Sequence, residues 1–120
     1  MTNLIWLNEE NLNLSHPVFA AAGQPGLGFF IWDEAYLKAS NYPFKRLLFI
    51  YESCLELGLN IYQGKSQEIL LALANKYQNN KIFYPATKNQ LISQIIAESQ
   101  AKLTFQEVMA KPFIELKSPA

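Results

Sequence analysis

"LNIYQGKSQEILLALANKYQNNKIFY" (residues 59–84) decides the fold. It opens on a short apolar run, "LNIYQG" (59–64), closed by Gly64. Ser66 follows in a position to cap a helix. Leu70, Leu73, Ala74 and Tyr77 then recur at helical spacing and form one stripe. "KIFY" (81–84) is a second apolar run, short enough to be a strand. A strand, a helix and a strand in that order make a crossover. The two strands must lie parallel, because the helix returns the chain to the end of the sheet where it started.

The same alternation extends in both directions. Upstream, "NLIWL" (3–7) and "LGFFIW" (27–32) read as strands, with a short helix over "SHPVFAAAG" (15–23) between them. Ser15 is the expected cap of that helix, Pro17 fits its first turn and Gly23 ends it. Residues 43–57 form the clearest helix, with Phe44, Leu47, Leu48, Tyr51, Cys54 and Leu55 as its apolar stripe and Gly58 as its stop. Downstream, a helix is expected over 88–101, with Ile92, Ile95 and Ile96 on one face, and a fifth strand over "LTFQEV" (103–108). The strands are apolar on both faces, which requires helices on both sides of the sheet. The sequence therefore predicts a doubly wound, five-stranded parallel α/β fold of Rossmann-like type, a single domain over residues 1–120.

Composition narrows the function. Half of the 120 residues are hydrophobic and 13% are aromatic, enough for a core. Ten basic residues balance ten acidic ones, with no run of Lys and Arg, which argues against direct nucleic-acid binding. Cys54 is the single cysteine, so no intrachain disulfide is expected, and its place on a helix stripe marks it as a core residue. No apolar stretch approaches a membrane span, and "MTNLIWLNEE" lacks the character of a signal peptide. The expectation is a cytoplasmic chain with no membrane partner.

In this architecture ligands sit at the carboxyl ends of the strands. That edge collects Asn8, Glu9, Glu10, Asn11 and Asn13 after the first strand, and Asp33, Glu34, Tyr36 and Leu37 after the second. These residues are the candidate ligand or partner surface, with 33–40 expected to be a loop. Solvated loop polarity is the competing reading, and it covers the adjacent carboxylates Glu9 and Glu10. His16 is the only histidine and has no second His or Cys to share a zinc ion, so no metal site is expected. It is read as facing solvent. The glycines of "GQPGLG" (23–28) lie between a helix and the next strand, at the wrong end of the sheet for a dinucleotide fingerprint.

Three segments carry a further signal. "IWLNEENLNLSHPVFAAA" (5–22) contributes Trp6, Leu12, Leu14, His16, Pro17 and Ala20 to Ala22. "GFFIWDEAYLKAS" (28–40) places Asp33 after an apolar strand. "KRLLFIYESCLELGLNIYQGKSQEILLALAN" (45–75) contributes Arg46, Phe49, Glu52, Ser53, Leu57 and Gly64. In order and spacing they resemble the N-terminal α/β domain of the DNA photolyase and cryptochrome family. The resemblance implies an accessory or binding module of light-dependent DNA repair. The family's FAD-binding helical domain is expected to be absent, so the chain has no catalytic residues of its own. It implies FAD only through a partner chain and at most a weak folate or deazaflavin antenna chromophore. It also implies a separate helical protein, or self-association, as partner. The family's first-loop arginines are replaced here by Asn and Glu, which removes cationic donors for an anionic ligand and suits a Lys- or Arg-bearing surface.

A response-regulator receiver domain is the alternative. It is suggested by acids after the first strand, "AT" (86–87) after the fourth and "KPF" (111–113) near the end. The third strand ends in Tyr62-Gln63-Gly64, without the carboxylate that aspartyl-phosphate chemistry needs.

Overall fold

The computed structural model describes residues 2–110. The "KPF" segment of the receiver comparison lies outside them. Five parallel strands form one sheet in the order β3-β2-β1-β4-β5: Asn3–Leu7 (β1), Gly26–Trp32 (β2), Asn60–Gln63 (β3), Lys81–Pro85 (β4) and Thr104–Val108 (β5). The helices are Pro17–Ala22 (α1), Glu34–Ala39 (α2), Phe44–Glu56 (α3), Ser66–Tyr77 (α4) and Gln90–Ser99 (α5).

The expected double winding is present, and strand periodicity explains it. On β1, Leu4 and Trp6 point into one core with Leu70 and Leu73 of α4 and Ile92, Ile95 and Ile96 of α5. Ile5 and Leu7 point into the other, with Val18 of α1 and Ile50 and Cys54 of α3. Side chains alternate across a strand, so a strand apolar at four consecutive positions, Leu4, Ile5, Trp6 and Leu7, feeds both layers. Successive crossovers run outward from β1 to β2 and β3, then jump back across it to β4 and β5. The reversal of direction puts α4 and α5 on the opposite face, because the crossovers keep one hand. The topological switch point lies between β1 and β4.

Five expectations about the local structure need correction. Residues 34–39 are a helix, not a loop. Asp33 caps it, its Oδ1 accepting from Tyr36 N at 3.2 Å, and six residues are too few to show a helical period. Ser15 is not the cap of α1; His16 is, with Nδ1 accepting from Val18 N at 3.0 Å. His16 is buried rather than solvent-facing, and burial lowers its pKa. Ser66 is the first residue of α4, not its cap.

The α3 stripe is the largest correction. Only Cys54 of the expected stripe is fully buried, joined by Ile50, while Phe44, Leu48, Tyr51 and Leu55 are exposed. The helix is apolar over two adjacent faces, and the narrower one sits on the sheet. Gly58 stops α3 as expected, at φ +70, where only glycine rests without strain.

Candidate functional site

Short turns bring the candidate residues to the carboxyl edge. Asn8 is buried, and its Oδ1 accepts from Glu10 N and Asn11 Nδ2, both at 3.0 Å. Asn13 Oδ1 accepts from Ser15 N at 2.7 Å. These asparagines build the loop's own turns, as Asx side chains do. The turn carries Glu9 inward and Glu10 outward.

Glu9 is only 6% exposed, so it is no solvated loop residue. Its Oε2 accepts from Tyr36 Oη and Tyr42 Oη, each at 2.7 Å. Asn89 Nδ2 donates to Tyr36 Oη at 2.8 Å, while Asn89 Oδ1 caps α5 by accepting from Leu91 N. Burial, and next the bond to Glu9, raise the pKa of both tyrosines, that of Tyr42 to about 12. Both hydroxyls therefore stay protonated as donors. Glu10 reaches across the switch point, its Oε1 accepting from Thr87 Oγ1 at 2.7 Å.

Glu9 Oε1 has no hydrogen-bond partner among the described residues. It borders a cavity of about 10 Å³ lined by Trp6, Phe30, Tyr36 and Ile92 among others. That is about the size of one water molecule. The crevice where a Rossmann-type sheet holds its ligand is thus filled from within.

The other candidates divide. Asp33 is buried and structural: Oδ2 accepts from Ser66 N and Oγ, both at 2.8 Å, so one carboxylate caps α2 and α4 together. A carboxylate suits both helix N-termini. Glu34 is exposed, with Oε1 accepting from Gln63 Nε2 at 3.3 Å. Leu37 is a core residue and Tyr36 is half-buried in the network, so neither forms the exposed recognition surface expected of them. Tyr42 and Asn89 were not anticipated. Asn89 gave a signal, an Asn before the Ile92–Ile96 periodicity, while Tyr42 gave none, since its role depends on α2 being a helix.

Among the described residues, no three or more His, Cys, Asp or Glu side chains group as metal ligands. Cys54 is buried against the sheet, and burial raises its thiol pKa to about 11, away from thiolate reactivity. No helix among them is long and apolar enough to cross a membrane. No family model, curated protein or solved structure matches this chain.

Proposed function

We propose that the chain is a photolyase/cryptochrome-type α/β domain that serves as a cytoplasmic interaction module rather than an enzyme. The observation that carries this reading is the filled switch point. Glu9, Tyr36, Tyr42 and Asn89 occupy the crevice and leave space for about one water. A folate or deazaflavin chromophore has no room beside Glu9. FAD and any light-driven repair chemistry would belong to a helical domain outside these residues. Exposed Glu10, Asn13 and Glu34 around the closed crevice suit a partner surface bearing Lys or Arg.

The strand order also favours this reading over the receiver alternative. β3-β2-β1-β4-β5 is the Rossmann order, whereas receivers place their strands 2-1-3-4-5. The end of β3, Gln63-Gly64, offers no acceptor carboxylate.

Titration with FAD, a folate and a deazaflavin, followed by absorbance and fluorescence, tests the module reading. The expected result is no saturable binding at micromolar chain. A stoichiometric complex with any of the three would overturn it.

A further inference from the structure

α3 carries an unusual surface. Phe44 is 76% exposed, Leu55 56%, and Leu48 and Tyr51 44% each. At about 100° per residue these four fall on one stripe, roughly a third of a turn from the buried line of Ile50 and Cys54. The stripe walls a groove of about 730 Å³ whose other wall is the sheet margin, Trp32, Asn60 and Ile61. Among the described residues β3 is the outermost strand, bonded to β2 on one side, with Asn60 and Gln63 exposed at its two ends.

We propose that this margin binds a second copy of the chain about a two-fold axis, β3 against β3 and α3 against α3, both antiparallel. This goes beyond the module reading above: it adds a second surface, away from the closed crevice, and names its partner.

Charge pattern selects a second copy over an unrelated partner. The solvent-side flank of the stripe carries Lys45 near the start of α3 and Glu52 and Glu56 near its end, all exposed. In an antiparallel pair centred on the stripe, Phe44 stands level with the partner copy's Leu55, and Leu48 with its Tyr51. Lys45 then stands level with position 54 of the other helix. That is within about 3 Å, measured along the axis, of both Glu52 and Glu56 at a rise of ~1.5 Å per residue. A two-fold axis brings like flanks together, so each Lys45 meets two carboxylates, twice per interface. The same axis, perpendicular to the sheet, sets the two β3 edges antiparallel. One operation satisfies the strands, the stripe and the charges.

Size agrees. Taking ~150–250 Å² for a whole aromatic side chain, the stripe exposes on the order of 400 Å² of apolar surface. A stable interface buries about 800 Å² per partner, roughly half or slightly more of it apolar. The β3 edge, Trp32, Ile61 and the charged flank supply the remainder. Net charge is zero, so two copies do not repel.

Sedimentation equilibrium over a micromolar concentration series decides it, with circular dichroism confirming that each variant folds. The wild type should be dimeric. Leu48→Glu should weaken association at least about 100-fold. Lys45→Glu alone, and Glu52→Lys with Glu56→Lys, should each weaken it about tenfold by facing like charges. An equimolar mixture of those two variants should regain wild-type association, because each chain then supplies the charge the other lacks. A monomeric wild type, or a mixture no tighter than its components, would overturn the dimer. The dimer's failure leaves the cofactor titrations unaffected, and tight cofactor binding would remove the module reading without dissolving a dimer.

Discussion

At the carboxyl ends of β1, β2 and β4, polar side chains close on one another; along the margin of α3 and β3, apolar side chains face outward. The first region has the position of a ligand site and the chemistry of a structural core. Glu9 is held by two tyrosine hydroxyls, and Asp33 ties two helices together. The second has the position of an ordinary surface helix and the composition of an interior. Buried polarity satisfied from within stabilises one conformation, while exposed apolar area gains free energy only when something covers it. Position in the fold alone would assign the two regions the opposite roles.

Paired substitutions on α3 should show the largest contrast. Ile50→Ala should cost about 2–5 kcal/mol in urea unfolding, as a fully buried residue. Leu48→Ala, two residues away, should cost no more than about 0.5 kcal/mol at concentrations where the chain is monomeric. Similar costs would erase the distinction between the two faces of the helix.

The carboxyl edge should respond less, and cooperatively. Tyr36→Phe removes the donor to Glu9 and the acceptor of Asn89, and should cost about 1–3 kcal/mol. Combined with Glu9→Gln in a double-mutant cycle, it should show a coupling of about 0.5–3 kcal/mol. Strict additivity would mean that the network does not act as a unit.

Alkaline pH sharpens the comparison further. Tyr42, ordinarily at 10.0, is raised to about 12 when folded, so the folded state holds its proton where the unfolded state has lost it. That contribution is complete below the unfolded pKa and is lost as pH rises through the folded one. Stability should fall between about pH 10 and 12, and the Tyr42→Phe variant should show a smaller decline over that window.

Much of this was legible in the sequence. The doubly wound sheet was, because Leu4 to Leu7 and Phe29 to Ile31 are apolar at consecutive positions and can only feed two layers. The candidate edge was legible as a place but not as an arrangement. Glu9 looked solvated because its partners, Tyr36 and Tyr42, lie 27 and 33 residues away and meet it only through α2. Periodicity found α3 but not its orientation, since two adjacent apolar faces fit the same spacing and packing chooses between them. His16 was misplaced for a local reason: a buried imidazole capping a helix has the same sequence signature as an exposed one.

Hydrogen–deuterium exchange across a protein concentration series measures both regions at once. The amides of Asn60–Gln63 and of α3 should gain protection as concentration rises, while those of Asn8–Ser15 and Thr87–Asn89 stay unchanged. Concentration-dependent protection confined to the carboxyl-edge loops, with β3 and α3 indifferent, would contradict the account.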